Sequence, residues 1–304
     1  MQHLTLMLFL TLSISACSKS VEEPQIIAPV TWTTERVIAA NTRQVIFQSQ
    51  IANDKVSFHL FLPDEYQSDP NQSFPVLYWL HGTGGGLEGI PILVDFFKTA
   101  MENNKIRPMI IVFPNGLPNG MWCNSKNGKQ PVEDVFIHDL ISYIDTHYRT
   151  IPSRKGRIVE GFSMGGYGAG RLGLKYYDLF GGFSMIAGGP LQLDFNSNIA
   201  PQNIELQKIV FKDVYGNDMS YFEAQSPWRL AEQFGPSLPN PTPKRIIIGN
   251  SDFTYQANLD FHNHLDQQGI PHQYFEFNGI GHNTMALLNA MGEGNWSFYR
   301  AVFD

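Results

Sequence analysis

The sequence predicts one α/β domain in which a mostly parallel sheet is covered by helices on both faces. From about residue 44 onward, short apolar runs of strand length alternate with longer stretches of helical periodicity, an order typical of parallel sheets. Hydrophobic residues make up 43% of the 304 residues and charged residues 16%, which supplies enough apolar material for a sizeable core. No internal repeat divides the chain, so residues 44–304 are predicted to form a single domain.

The first half of this domain begins with two strands that fit an antiparallel pair at a sheet edge. The turn signal Asn53-Asp54 separates them. The next two apolar runs are continuous rather than alternating, as expected of strands buried on both faces. Between and after these runs lie two stretches with helical spacing, the second of them clearly amphipathic. The predicted strands are 44–51, 56–62, 76–80 and 109–113, and the predicted helices are 90–103 and 132–148.

The second half of the domain continues the alternation of strands and helices, with one interruption. Residues 188–243 contain scattered Pro and Asn among short helical pieces, which indicates an irregular insertion. Strand and helix alternate before and after it, as parallel strands joined by crossover helices require. The predicted strands are 157–159, 183–187, 244–249 and 273–277, and the predicted helices are 164–177, 255–268 and 284–303.

The N terminus carries a separate targeting segment. An apolar run at residues 4–14 is too short to span a bilayer and is followed by Ser15-Ala16-Cys17, as in a signal peptide. The segment resembles a bacterial lipobox, although its first residues include no Lys or Arg. The resemblance implies that residues 1–16 are removed, that Cys17 is lipidated and that residues 17–43 form a tether. A plain secretory signal with a coincidental cysteine is the alternative.

These features predict where the chain resides and which partners it excludes. Lipid on Cys17 would hold an exported chain at a membrane of the bacterial cell envelope. The net charge of -7 argues against nucleic acid, because phosphate binding requires clustered Lys and Arg. The other cysteine, Cys123, then has no partner within the chain for a disulfide, and we expect it to be structural rather than a nucleophile.

The pentad Gly161-Phe162-Ser163-Met164-Gly165 is the clearest chemical motif. A hydroxyl nucleophile must stand above a sheet and near a base, and a sharp strand-to-helix turn achieves this. Flanking glycines remove side chains that would clash in such a turn. Here the pentad follows a strand and opens a helix rich in small residues, so Ser163 is predicted to be a nucleophile. A glycine-rich structural turn is the alternative.

Partners for this serine are expected in loops after later strands, in the order acid and then histidine. Asp252 follows the strand that ends at residue 249, and His282 follows the strand that ends at residue 277. The nearby Asp260 falls within the next helix and is expected to be a surface charge. His262 and His264 lie on the same helix and are predicted to face solvent.

Two backbone amides are needed to hold a developing oxyanion, one after the nucleophile and one from an earlier loop. Met164 is predicted to supply the first. The glycine-rich stretch at residues 80–86 fits the second, with Thr83 as the donor. A phosphate-binding loop is disfavoured because no Gly-Lys-Ser/Thr sequence follows. His81 is expected to support this loop rather than to act as a base.

Residues 161–169, the turn around Ser163 and the start of the following helix, are here called the elbow. The elbow and its surroundings resemble the esterase D group of α/β-hydrolases. This group includes S-formylglutathione hydrolases, feruloyl and acetylxylan esterases and the antigen 85 mycolyltransferases. The resemblance implies an α/β-hydrolase fold, a Ser163–Asp252–His282 triad and oxyanion donors at Thr83 and Met164. Glu160 departs from the usual apolar residue before the elbow; a polar supporting contact and a strand-end charge both remain open. Further matching stretches are 140–145, 148–150, 226–231, 249–252 and 281–282.

A serine esterase that needs no metal or organic cofactor is therefore the predicted function, with small-molecule or glycan esters as substrates. The loop at residues 115–129 follows a strand at the triad end of the sheet, so Trp122 is a candidate for the substrate pocket; a packed Trp in a solvent loop is the alternative. An acyltransferase with the same triad, a non-catalytic surface-binding lipoprotein and a serine peptidase remain as other classes. A peptidase is disfavoured because the sequence shows no propeller or cap domain.

Overall fold

A computed structural model describes residues 30–195 and 204–304 of the chain. The predicted signal peptide, Cys17 and the first part of the predicted tether lie outside these residues. The last part of the tether is packed rather than extended into solvent. Trp32 is buried, and its carbonyl accepts hydrogen bonds from the amide of Ser57 and the side chain of Asn115. The compact unit accordingly begins at Thr31, earlier than the predicted residue 44.

Eight strands form one mixed, mostly parallel sheet with helices on both sides. The strand order is β1-β2-β4-β3-β5-β6-β7-β8. The pairs β1–β2 and β2–β4 are antiparallel, and every other pair is parallel. This arrangement confirms the predicted fold class and the antiparallel edge. The strands are β1 Thr42–Ser49, β2 Asp54–Phe61, β3 Val76–Leu80, β4 Ile110–Pro114, β5 Arg157–Phe162, β6 Gly182–Ile186, β7 Lys244–Gly249 and β8 Gln273–Phe277.

The helices follow the predicted order closely, and the described part of the insertion after β6 contains three short ones. Its first helix, α6, lies next to the undescribed residues 196–203. The helices are α1 Glu65–Ser68, α2 Ile90–Glu102, α3 Val132–Asp134, α4 Ile141–His147, α5 Met164–Lys175, α6 Ile204–Asp213, α7 Met219–Gln225, α8 Pro227–Phe234, α9 Tyr255–Gln267, α10 Thr284–Met291 and α11 Gly294–Phe303. Among the residues that the structure describes, no helix combines the length and apolar character needed to cross a membrane.

Two predicted helices differ from simple α-helices. The predicted helix 132–148 contains a π-helical segment, Val135–Leu140, between α3 and α4. The predicted helix 284–303 is divided into α10 and α11 at Gly292, which has a φ of 52°. Positive φ ends a right-handed helix and favours glycine. A hydrophobic period alone does not reveal such a break, because both halves keep an apolar face toward the core.

A buried charged row crosses the middle of the sheet and decides the open question about Glu160. Glu160, Ser184 and Arg245 are neighbours in register on β5, β6 and β7. Arg245 donates hydrogen bonds to Glu160 at 2.8 Å and to Ser184 at 2.8 Å, and Tyr299 of α11 donates to Glu160 at 2.6 Å. All four side chains are essentially inaccessible. Glu160 is therefore part of a buried polar contact and not a strand-end charge.

Candidate active site

Ser163 occupies the sharp turn between β5 and α5. Its backbone has φ 59° and ψ -119°, a region that residues with a side chain rarely adopt. The surrounding backbone holds this conformation in place. The Ser163 amide donates to the carbonyl of Ile186 at 2.9 Å, and the Ser163 carbonyl accepts from the amides of Tyr167 and Gly189. The turn therefore fixes the hydroxyl above the carboxyl end of the central strands.

The flanking glycines are required by close backbone contacts. A Cβ atom on Gly165 would lie 1.9 Å from the carbonyl oxygen of Leu80, and one on Gly161 would lie 2.4 Å from the carbonyl oxygen of Gly165. Both distances are far below any real contact, and the clashing atoms are backbone. The absence of side chains at these two positions therefore lets α5 begin directly against the end of β3.

His282 lies in the loop after β8 and faces the serine. Its Nε2 atom is 2.9 Å from Ser163 Oγ. The imidazole is held between Phe162 and Phe253, whose ring centroids each lie 4.4 Å from that of the histidine. The side chain is 22% exposed, so the ring remains reachable from solvent. Sequence reasoning did not identify Phe253, although it directly follows Asp252.

Asp252 lies in the turn after β7 and contacts the other imidazole nitrogen. Its Oδ2 is 2.8 Å from His282 Nδ1, within hydrogen-bonding distance. The second oxygen, Oδ1, accepts hydrogen bonds from the amide of Thr254 at 2.8 Å and from its hydroxyl at 2.9 Å. Thr254 thus orients the buried carboxylate, a role that the sequence alone did not indicate. Asp260 is exposed, as predicted.

Because an ionised carboxylate only accepts hydrogen bonds, His282 Nδ1 must donate to Asp252. The neutral imidazole then carries its lone pair on Nε2, the atom that faces the Ser163 hydroxyl. A serine hydroxyl, a neutral imidazole and a buried carboxylate in this order form a chain along which a proton leaves the serine. The structure therefore brings together the three side chains that the sequence singled out for the triad.

Both predicted oxyanion donors border the same cavity as the serine and the histidine. Within residues 30–195 and 204–304, neither the Thr83 amide nor the Met164 amide has a backbone acceptor. Met164 is the first residue of α5, where the helix dipole adds partial positive charge. Gly82, next to Thr83, is close enough that an added Cβ would lie 3.3 Å from Ser163 Cβ. The two amides are thus available to an anion beside the serine.

His81 supports the loop that carries Thr83, as predicted. Its Nδ1 donates to the carbonyl of Gly82 at 2.7 Å, and its Nε2 accepts from the amide of Gly116 at 3.0 Å. Burial lowers the pKa of His81 to about 4, so the imidazole stays neutral and makes both bonds at neutral pH. A further bond joins the amide of Gly84 to the carbonyl of Pro118 at 2.8 Å. The loop after β4 therefore holds the loop after β3.

The prediction that Trp122 lines the substrate pocket is wrong. Its side chain is 1% exposed and turns inward, where the indole N–H donates to the carbonyl of His81 at 3.1 Å. The ring lies against Gly116 and Gly168, where an added Cβ would come within 2.6 Å of it. The neighbouring residue Met121 lines the cavity instead. Trp122 thus packs beneath the loop that carries Thr83 and supports it.

A second buried polar cluster, on α5, supports the same region. Arg171 forms an ion pair with Glu133 at 2.5 Å and donates to the carbonyl of Trp122 at 2.6 Å. Burial raises the pKa of Glu133, but the stronger combined effect of Arg171 and Lys175 lowers it to about 2. Cys123 is a buried free thiol, and burial raises its pKa to about 12. This inert state agrees with the structural role predicted for Cys123.

A cavity of about 460 Å³ opens beside Ser163 and His282, a size typical of small-molecule sites. Most of its surface is apolar. The side chains come from the end of β5, from the loops after β4 and β6, from the turn after β7 and from α6 and α9. Its apolar lining comprises Met121, Phe162, Pro190, Phe195, Leu206, Val210, Phe253 and Ala257.

Curated relatives of this chain include proteins named as esterases. Esterase Rv1288 of Mycobacterium tuberculosis is 29% identical over 252 residues, which cover 78% of this chain and 54% of that protein. The chain therefore spans about half the length of this relative. The acetyl esterase of Caldicellulosiruptor saccharolyticus is 26% identical over 258 residues, which cover 79% of this chain and 91% of that protein.

Solved structures with a similar fold include a ferulic acid esterase, with a TM-score of 0.70 and 21% identity over 86% of this chain and 98% of that one. The S-formylglutathione hydrolase FrmB of Staphylococcus aureus has a TM-score of 0.64 and 18% identity, over 85% of this chain and 96% of that one. These likenesses confirm the α/β-hydrolase fold.

The model of the family described as "Putative esterase" matches residues 49–286, which is most of the chain. The chain therefore belongs to this esterase family, as the sequence around the elbow predicted.

Proposed function

We propose that the chain is a serine carboxylic-ester hydrolase that acts through an acyl-enzyme on Ser163. The observation that carries the proposal is the continuous contact from Ser163 Oγ to His282 Nε2 at 2.9 Å and from His282 Nδ1 to Asp252 at 2.8 Å. This order of groups is the one that activates a hydroxyl for attack on a carbonyl carbon. Membership of an esterase family agrees with that chemistry.

The proposed reaction begins when Ser163 Oγ attacks the ester carbonyl carbon and His282 Nε2 takes the hydroxyl proton. Asp252 stabilises the resulting imidazolium through the hydrogen bond to Nδ1. The tetrahedral oxyanion accepts hydrogen bonds from the amides of Thr83 and Met164. The carbon–oxygen bond to the alcohol then breaks, and His282 returns its proton to the leaving alkoxide, which leaves an acyl group on Ser163.

The second half of the reaction repeats these roles with water as the nucleophile. His282 removes a proton from water, the resulting hydroxide attacks the acyl carbon, and the same two amides hold the second oxyanion. Collapse of that intermediate releases the acid and returns the proton to Ser163. Each step uses side chains and amides of this chain, and none requires a metal or an organic cofactor.

The apolar cavity supports an ester with at least one apolar half. A group such as acetyl fills only a small part of about 460 Å³, while each additional buried methylene contributes about 0.8 kcal/mol. A sugar or small polar alcohol would be better solvated at the open mouth of the cavity. We therefore propose esters of an apolar acid with a small alcohol or sugar as the substrates.

An acyltransferase with the same triad is the second candidate. The acyl-enzyme is common to both reactions, and they differ in whether water or an alcohol reaches the acyl carbon. His282 is partly exposed, which favours access of water and therefore hydrolysis. A non-catalytic surface-binding role has less support, because such a role does not require the hydrogen-bonded Ser163, His282 and Asp252.

We further propose that the chain is an exported lipoprotein of the bacterial cell envelope, held at the membrane by lipid on Cys17. The support is the sequence Ile14-Ser15-Ala16-Cys17 after a short apolar run. Residues 17–30 would then link the lipid to the compact unit that begins at Thr31. A single acyl chain binds membranes only marginally, so stable anchoring requires more than one chain on the cysteine.

Replacing Ser163 by Ala is expected to remove the nucleophile and to lower turnover of nitrophenyl esters by about six orders of magnitude. The fold should persist, because Ala carries a Cβ as Ser does. The measurement is hydrolysis of an acyl series from acetate to hexanoate, in which wild-type kcat/KM should rise by up to about fourfold per added methylene.

The matched control is Ser297→Ala on the exposed surface of α11, which should retain wild-type turnover. Addition of a competing alcohol separates the two candidate reactions, because a hydrolase still yields mainly the free acid whereas a transferase yields mainly the new ester. Substantial hydrolysis by the Ser163→Ala enzyme would eliminate the proposed nucleophile.

The Asp252→Asn variant is expected to lose about three to four orders of magnitude in kcat. An Asn amide in place of the carboxylate can donate to His282 Nδ1, which favours the tautomer whose Nε2 carries a proton and cannot accept one from Ser163. Steady-state kinetics with a nitrophenyl ester provide the measurement. The control is Asp260→Asn, an exposed position on α9 eight residues further along. Near wild-type activity of Asp252→Asn would mean that another carboxylate orients His282.

The Cys17→Ser variant is expected to accumulate as unprocessed precursor or as soluble protein, since no thiol remains to receive lipid. The wild-type chain should instead fractionate with membranes and begin at a lipid-modified Cys17. Mass spectrometry of the N-terminal peptide and fractionation of cells provide the measurements. An unmodified N terminus at any other residue would rule out the lipoprotein, while leaving the esterase proposal intact.

A further inference from the structure

Away from the triad, two histidines and one carboxylate converge between α9 and the start of β8. His262 and Asp266 are one turn apart on α9, and His272 directly precedes β8. One ligand atom from each residue can be chosen so that all three lie within 4.8 Å of one another. The prediction that His262 faces solvent is wrong in part: its side chain is 24% exposed, but the loop before β8 places His272 against it.

The histidine pair is oriented so that one nitrogen of each ring faces the other, with His262 Nδ1 donating to His272 Nε2 at 2.7 Å. His272 is almost fully buried, and its Nδ1 lies 2.9 Å from the carbonyl of Ile270. A nitrogen next to a carbonyl must be the protonated one, so His272 Nε2 carries the lone pair. That atom lies 2.7 Å from His262 Nδ1. The ring of His262 is held in turn by parallel stacking on Tyr274, with centroids 4.2 Å apart and planes 7° apart.

We propose that His262, Asp266 and His272 form a binding site for a divalent zinc-class cation. Two imidazoles and one carboxylate are a donor set that Zn²⁺ accepts in four-coordinate sites, with water as the fourth ligand. A metal-ligating histidine usually donates its other ring N–H to a carbonyl or a carboxylate, which fixes its tautomer. Here the backbone carbonyl of Ile270 accepts that hydrogen bond from His272. Calcium and magnesium, which prefer oxygen ligands, do not fit this set.

The adjustment needed for binding is small. Ligand atoms around a tetrahedral Zn²⁺ lie about 3.3 Å apart, given bonds of about 2.0 Å. The two imidazole nitrogens at 2.7 Å must therefore separate by roughly 0.6 Å, and the hydrogen on His262 must move from Nδ1 to Nε2. The Asp266 oxygens lie 3.7 Å from His262 Nε2 and 3.9 Å from His272 Nδ1, the other nitrogen of each ring. The carboxylate must therefore rotate toward the ion, and it can do so without disturbing the core because the side chain is 62% exposed.

The local charges limit the affinity of the site. Lys244, a buried cation at the start of β7, lies close enough to His272 to act on its charge. Among the described residues, Asp266 supplies the carboxylate of the cluster. One negative charge near a buried lysine favours moderate rather than tight affinity for a divalent cation.

Cation binding would join α9 and β8, the two elements that lie between Asp252 and His282 in the chain. Asp252 precedes α9, and His282 follows β8, whereas the cation would link the later part of α9 to the beginning of β8. An ion there stabilises the β7–α9–β8 unit without contacting the reacting groups. Cation binding at this site does not depend on the proposed esterase activity and would affect the stability of the fold.

Calorimetric titration of the full chain with ZnCl₂, using protein without a polyhistidine tag and after chelator treatment, tests the site. We expect one Zn²⁺ per chain and a rise of several degrees in Tm at saturation. The variants His262→Gln and Asp266→Asn should weaken binding by more than about tenfold while leaving ester hydrolysis unchanged. These two residues are partly exposed, so their replacement tests the site even if His272→Gln is unstable.

The matched control is His147→Gln, at an exposed histidine on α4 whose Nδ1 lies 2.8 Å from the carbonyl of Tyr143. This variant should bind Zn²⁺ as the wild type does. The proposal would be overturned if His262→Gln and Asp266→Asn bound Zn²⁺ as tightly as the wild type. It would also be overturned if the wild type gave no stoichiometric heat of Zn²⁺ binding. Inhibition of hydrolysis at the same Zn²⁺ concentration in both variants would place the ion at His282 instead and would equally contradict it.

Discussion

The strained turn at Ser163 is the constraint on which the rest of the site depends. A residue with a side chain keeps φ near 59° only if its surroundings leave no alternative, and here the surroundings are backbone. The helix α5 starts so close to the end of β3 that a Cβ on Gly165 would lie 1.9 Å from the Leu80 carbonyl oxygen. This approach brings the loop after β3, with Thr83, beside the first amide of α5.

Buried ionic groups brace this turn from both faces of the sheet. On one face, Arg245 donates a hydrogen bond to Glu160, the residue directly before the pentad. On the other face, Arg171 donates a hydrogen bond to the Trp122 carbonyl. Such pairs recover their desolvation cost only through good geometry and additional hydrogen bonds, and both arginines have them. We interpret the two clusters as devices that fix strand register and loop position rather than as net sources of stability.

The catalytic candidates were predictable because each one occupies a position defined by chain order. Ser163 lies in a recognisable pentad, and Asp252 and His282 each follow a strand whose apolar run is visible in the sequence. The errors concern contacts between distant segments. Trp122 turns inward because Gly116 and Gly168 leave space for its ring. His264 is stacked on Trp228 with centroids 4.0 Å apart and is buried rather than solvated, and no local pattern reveals these neighbours.

The proposed mechanism requires Ser163 to form the acyl-enzyme while the amides of Thr83 and Met164 hold the oxyanion. A crystal structure of the chain after reaction with an organophosphonate tests both parts together, because the phosphonyl group imitates the tetrahedral intermediate. We expect a covalent bond from phosphorus to Ser163 Oγ, with the phosphonyl oxygen within about 3.1 Å of both amide nitrogens. Phosphorus on another residue, or an oxygen directed away from these two amides, would contradict it.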